Sequence, residues 1–172
     1  MIVGHGDIAG VLKDREDRLY FASGVSNSLE DRKSEYLREI NLLLKQDKVR
    51  HIVYFGSLCI FYSDTRYSQH KKHMEDLVRV SFPHYTIIRL GNITWGKNPN
   101  TLINHLRTFR DAEIRNVYRY VVNREEFLHW IDLIPPWNCE INVPGKRMKV
   151  REIVEQFVED FDDPKWLKGK GE

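Results

Sequence analysis

Apolar runs and amphipathic stretches alternate along the first half of the chain. Met1-Ile2-Val3 is a short apolar start, followed by three longer runs: Leu19-Tyr20-Phe21-Ala22-Ser23, His51-Ile52-Val53-Tyr54-Phe55-Gly56-Ser57 and Tyr85-Thr86-Ile87-Ile88-Arg89-Leu90. These are of strand length and rich in aromatic and β-branched residues, so they read as buried strands. Helices are expected between them. Ser28 before Leu29-Glu30-Asp31 can cap one running to about Gln46, with Tyr36, Leu37, Ile40, Leu43 and Leu44 as its apolar face. A second starts at Tyr67, points Met74, Leu77 and Val78 inward and stops before Pro83. This β-α-β-α-β order predicts an α/β fold with a mostly parallel sheet and right-handed crossovers.

The later part is read more coarsely. It gives a helix from Thr101 to Arg110 after the Asn98-Pro99-Asn100 turn, a strand from Val117 to Val122 and a helix from Arg124 to Leu133. A last strand at Ile141-Asn142-Val143 and a helix from Val150 to Phe161 complete it. Residues 162–172 are charged and glycine-containing and read as a frayed tail.

The candidate chemistry sits where the central strand meets the second helix. His51 to Ser57 would deliver a serine hydroxyl at its C-terminal end. Ten residues on, Tyr67-Ser68-Gln69-His70-Lys71 places Tyr67 and Lys71 one turn apart on the same helix face. A lysine ammonium there is expected to favour tyrosinate and to lower the Tyr67 pKa from its ordinary value of about 10. Tyr67 would then act as general acid/base on an oxygen held by Ser57. A chance Tyr-x-x-x-Lys on an exposed helix has the same spacing. What favours chemistry is the order: glycine-rich start, strand ending in Ser, Tyr/Lys helix.

That start is Gly4-His5-Gly6-Asp7-Ile8-Ala9-Gly10, read as a tight turn into a helix N-terminus. Such a turn lets the backbone approach a pyrophosphate while helix N–H groups and the dipole face the phosphates.

Composition narrows the class. At 172 residues, 41% hydrophobic and 30% charged, the chain is expected to form one soluble domain over 1–161. No run approaches the roughly 18 apolar residues of a membrane span, and no signal peptide precedes the glycine turn. A net charge of +2, with basic residues interspersed among acids, does not argue for nucleic acid. Cys59 and Cys139 lack metal-ligand spacing, so reduced thiols in the cytoplasm are the expectation. No metal site is expected, because His70 and His73 with Glu75 read as a solvated helix face. Trp95, Trp130, Trp137 and Trp166 read as core or interface residues, Trp95 also as a cleft-lining one.

Taken in order, Gly4 to Gly10, Phe21-Ala22-Ser23-Gly24, Val53 to Phe61, Tyr67 to Lys71, Ile88-Arg89-Leu90-Gly91-Asn92-Ile93 and Asn142-Val143-Pro144-Gly145 resemble the extended short-chain dehydrogenase/reductases, the superfamily of NAD-dependent epimerases and dehydratases. The resemblance implies a Rossmann-like three-layer sandwich, bound NAD or NADP and a nucleotide-sugar substrate, with a role in surface polysaccharide synthesis. It implies that Gly4, Gly6, Asp7, Ile8 and Gly10 line the pyrophosphate. Ala22, Ser23 and Gly24 would run past the cofactor, Asn92 and Ile93 would lie near the nicotinamide, and Lys71 would hydrogen-bond its ribose. Ser57 and Tyr67 would address the substrate oxygen. Residues 91–161 become the substrate-side part, and helices 29–46 and 66–80 a homodimer interface.

One departure is large. Only Lys13 to Tyr20 separate the first helix from the next strand, where the family places its second and third strands and the adenosine pocket. The fold is therefore expected to be truncated and its cofactor affinity reduced. A non-catalytic binding or scaffold relative with a decayed dinucleotide site is the alternative reading.

Overall fold

The computed structural model describes residues 1–108 and 117–158. Five parallel strands form the main sheet: β1 (Ile2–Val3), β2 (Arg18–Phe21), β3 (His51–Ser57), β4 (Tyr85–Leu90) and β7 (Cys139–Val143), in the order β1-β2-β3-β4-β7. Successive residues of β2, β3 and β4 face opposite sides and both sides are covered, which explains the unbroken apolar runs. Leu19, Phe21, Ile52, Tyr54 and Ile87 pack with Leu43 of α1 (Lys33–Leu44) and with Met74 and Val78 of α2 (Arg66–Ser81). Tyr20, Val53, Phe55 and Ile88 pack on the other side with Phe127 and Ile131 of α4 (Arg124–Asp132). The result is the three-layer α/β sandwich expected.

β1 forms the edge of this sheet, pairing with β2 alone among the described residues. No strand lies beyond it there, as the missing second and third strands require. Residues 4–17 must cross back between two parallel strands, close to the dozen-residue minimum for such a connection. That leaves little length for a helix. The expected first helix is a single 3₁₀ turn, Ala9–Val11.

A smaller sheet joins β5 (Asn92–Ile93), β6 (Tyr118–Val122) and β8 (Lys146–Lys149) in the order β5-β6-β8, with β8 antiparallel. Val121 and Met148 turn one face toward α3 (Leu102–Thr108) and α5 (Val150–Phe157). β5 and β8 carried no expectation from sequence. The outer parts of the helices read over Thr101–Arg110 and Val150–Phe161, and the tail with Trp166, fall outside the described residues.

Helix α1 differs from its sequence reading in start and rotation. It begins at Lys33 rather than after Ser28. Glu30 accepts from the Arg32 backbone N–H at 3.0 Å and Tyr36 donates to the Glu30 carbonyl at 2.7 Å, so the preceding residues are tied into turns. Its buried residues are Tyr36, Glu39 and Leu43, while Leu37 and Leu44 are exposed. A carboxylate faces inward beside Leu43, and two of the expected leucines do not.

Candidate functional site

The C-terminal ends of the parallel strands are where loops of this fold gather. Ser57 ends β3 and its Oγ accepts the Cys59 N–H at 3.2 Å, capping the 3₁₀ turn Leu58–Phe61. Thr65 caps α2 through a reciprocal pair: Ser68 N–H donates to Thr65 Oγ1 at 3.2 Å, and Thr65 N–H to Ser68 Oγ at 2.9 Å. That start puts Tyr67 in the first turn and Lys71 one turn later. The Lys71 Nζ lies 5.5 Å from the Tyr67 ring centroid. Tyr67 is half-buried, and its hydroxyl makes no hydrogen bond among the described residues. Burial raises the Cys59 thiol pKa, although the Ser57 hydroxyl and the Lys71 ammonium pull it down.

The electrostatics correct one expectation. Tyr67 ionises above, not below, its ordinary value. Burial is the largest cause, Lys71 pulls the other way, and Cys59, Glu39 and Tyr36 add to the rise. Lys71 cannot prevail because its charge is already engaged. It is buried and donates to Glu39 Oε1 at 3.3 Å.

Glu39 is the site residue that sequence reasoning missed. Its carboxylate accepts from four directions: Tyr54 Oη at 3.0 Å and Lys71 Nζ on one oxygen, His70 Nε2 at 2.8 Å and the Val25 N–H at 2.8 Å on the other. Burial opposes its charge most strongly, yet Lys71, His70 and the Val25 N–H together bring its pKa down to about 2. The same pairing raises the Lys71 pKa against the burial that alone would depress it. Gly24 lies over both groups. A Cβ there would sit 2.8 Å from Lys71 Nζ and 2.9 Å from Glu39 Oε1, so only glycine lets this loop close down. Gly24 thus covers the pair rather than lying free beside a ligand.

The His70, His73 and Glu75 set divides instead of converging. His70 is buried on Glu39, not solvated; His73 is exposed; Glu75 is buried and takes two hydrogen bonds from Arg89, at 2.9 and 2.6 Å.

At the glycine turn the residues separate into free and engaged. A Cβ on Gly6 or Gly10 would meet nothing within 4 Å, so both leave open space. Gly4 serves the fold: at φ +124° its Cβ would lie 2.3 Å from the Ala22 carbonyl oxygen. Asp7 is not free for a ligand, because its carboxylate accepts the N–H groups of Lys97 and Asn98, each at 2.9 Å. Trp95 donates to the Asp7 carbonyl at 3.1 Å and packs on Phe127, so it closes this clasp rather than lining an open cleft. Ile8 packs against the core, and so does Ile93. Ser23 accepts from Arg38 through its carbonyl at 3.1 Å, the Ala22 N–H bonds Val3, and the Asn92 side-chain amide bonds the Tyr120 carbonyl. Trp137 is exposed, which removes the core half of its expectation.

These glycines separate two roles experimentally. Gly4→Ala should destabilise the protein by at least ~2 kcal/mol through strain and backbone collision. Gly6→Ala should stay within ~0.5 kcal/mol of the parent. Urea denaturation of the two variants checks this.

A nicotinamide dinucleotide fits this chain at one end. Open glycines and an unbonded phenol suit the phosphates and the reacting group. Beyond β1 no strand among the described residues offers the adenosine a wall, and the turn leads into a single 3₁₀ turn rather than an α-helix. Three solved structures share the architecture. UDP-glucuronic acid 4-epimerase from Bacillus cereus, in complex with UDP-glucuronic acid and NAD, superposes with a TM-score of 0.61 at 12% identity, covering 90% of this chain and 60% of that one. The Bordetella bronchiseptica enzyme WbmG in complex with NAD gives 0.59 at 14% identity, over 81% and 55%. UDP-glucose 4-epimerase from Thermus thermophilus in complex with NAD gives 0.59 at 14%, over 81% and 60%. This chain shares their Rossmann-like fold. No protein-family model and no curated protein matches the sequence. The chain spans 55 to 60% of the length of WbmG and the two epimerases.

Proposed function

We propose that this chain is an NAD(P)-dependent oxidoreductase or epimerase-like protein acting on a nucleotide sugar or a related carbinol or carbonyl compound. One observation carries the reading: an unbonded Tyr67 hydroxyl one helical turn from a buried lysine, beside the strand that ends in Ser57. When bound, the nicotinamide supplies the hydride acceptor or donor. Tyr67 gives or takes the proton on the substrate oxygen, Ser57 Oγ holds that oxygen, and Lys71 compensates the charge left on Tyr67. Gly6 and Gly10 leave room for the phosphates.

An aromatic and basic surface next to this site supports a nucleotide-sugar-like ligand. Phe61, Tyr62, Tyr118 and Tyr120 are exposed, and the Arg147 guanidinium stacks 3.7 Å over the Tyr118 ring. Rings of this kind stack bases and cations meet phosphates. UDP-glucuronic acid bound to the Bacillus cereus enzyme favours the same class of ligand. The unpaired Cys59 and Cys139 suit a reducing, cytoplasmic setting, and the exposed Leu37 and Leu44 on α1 suit a homodimer through α1 and α2.

The alternative is a non-catalytic binding or scaffold relative. The hold of Glu39 on Lys71, the Asp7 clasp and the sheet edge at β1 favour it. Titration with NADH and NADPH, followed by nicotinamide fluorescence and run alongside a mass measurement, separates the two. Micromolar binding that weakens at least tenfold in the stably folded Gly6→Ala protein supports the enzyme. Absence of binding at millimolar cofactor leaves the second reading.

A further inference from the structure

We propose that Glu39 is a positioning residue of the Ser57–Tyr67–Lys71 site, drawing the Lys71 ammonium onto α1 and withholding it from the Tyr67 oxygen. The inference rests on the roles proposed for Tyr67 and Lys71. Its basis is geometric. Lys71 Nζ is hydrogen-bonded to Glu39 at 3.3 Å, makes no hydrogen bond to the Tyr67 oxygen, and lies 5.5 Å from the Tyr67 ring centroid and 5.8 Å from that of Tyr54. Glu39 is itself held by partners from three further places: Tyr54 on β3, His70 on α2 and the Val25 N–H in the loop after β2. A carboxylate fixed so completely does not follow the lysine if the lysine moves. Gly24 seals the pair from above and leaves no room for a side chain.

The groups acting on Tyr67 come from each neighbouring element. Lys71 shares its helix, Cys59 comes from the 3₁₀ turn after β3, Glu39 and Tyr36 from α1, and Tyr54 from β3. Lys71 alone among them favours tyrosinate, and Glu39 both opposes tyrosinate directly and neutralises Lys71. The clamp therefore keeps Tyr67 a phenol, ready to donate a proton. Only when the ammonium shifts toward Tyr67 does the phenol become a competent base. In this arrangement the acid form is the resting form: burial favours it most, and Glu39 adds to it while holding Lys71 away.

The test reads Tyr67 directly. Tyrosinate absorbance near 295 nm is titrated over roughly pH 8 to 12 in the parent and in Glu39→Gln. The same titration in the matching Tyr67→Phe proteins is subtracted, so that the difference belongs to Tyr67 among the eight tyrosines. In Glu39→Gln the Tyr67 step should move to lower pH by about one unit or more, because a like charge is removed and Lys71 is released. Glu39→Asp keeps a buried negative charge opposite Lys71 and so protects the fold. Its shorter arm should loosen the hold and move the step in the same direction by less. A Tyr67 step unchanged in both variants would overturn the proposal and leave Glu39 a purely structural ion-pair partner. The measurement needs neither cofactor nor turnover. A protein that binds no NADH can still show the shift, and one that turns over substrate can still fail to show it.

Discussion

Lys71→Ala should cost the fold about 3–5 kcal/mol and lower the melting temperature by on the order of 10 °C. The loss comes from Glu39, not from the lysine's own packing. With Lys71 gone, a carboxylate with no exposed surface keeps its bonds to Tyr54, His70 and the Val25 N–H but loses the lysine ammonium. The pH dependence identifies the cause. Glu39 has its pKa depressed to about 2 from an ordinary 4.5, so the stability it contributes is fully present above 4.5 and disappears as pH falls toward 2. Lys71 acts with the opposite sign: its pKa is raised above the ordinary 10.5, so its contribution is present below that value and is lost as pH climbs past it. The deficit of Lys71→Ala should therefore be largest at neutral pH and shrink in acid, where the variant's Glu39, without the lysine that holds its pKa down, takes up a proton while the parent's Glu39 is losing its contribution. Urea midpoints at pH 7 and near pH 3 test this, and an equal deficit at both would mean that the stranded carboxylate is not responsible. Lost activity in a Lys71 variant would in consequence say little about chemistry.

The same pair shows how far the sequence could be read. β3 and β4 were legible at their true limits, His51–Ser57 and Tyr85–Leu90, because both faces of the sheet are covered and the strands are mostly apolar. α2 was legible because Met74 and Val78 repeat at helical spacing and Pro83 stops the run. β8 was not, since Lys146-Arg147-Met148-Lys149 buries only Met148 deeply and owes its place to pairing with β6. The first helix failed for a reason of length: the short crossover of residues 4–17 could be counted, but not that it leaves space for one 3₁₀ turn. Glu39 was passed over. The signal existed, because Glu39 lies three residues after Tyr36 and four before Leu43, on the stripe those two define. A charge on an apolar stripe calls for buried partners of opposite sign, and those stand far away in sequence, on α2.

Tyr67→Phe should reduce turnover of a true substrate by roughly 10²–10⁴-fold while leaving stability within ~0.5 kcal/mol of the parent. Both halves follow from the same atom. The phenol oxygen has no hydrogen-bond partner among the described residues, so its removal strands no donor or acceptor. The ring that packs near Lys71 is retained, and Lys71 keeps its bond to Glu39. What disappears is the group that exchanges a proton with the substrate oxygen. Ser57 would still hold that oxygen, but its hydroxyl has no adjacent base and already accepts the Cys59 N–H. The remaining rate should thus lose its alkaline rise as well as its magnitude, since that rise reports the Tyr67 ionisation, which burial and Glu39 keep above the ordinary tyrosine value. Steady-state rates from pH 6 to roughly 10 in the two proteins, with urea midpoints measured in parallel, decide the point. A variant that retained full activity and the parent pH profile would remove Tyr67 from the chemistry and leave the unbonded hydroxyl without a role.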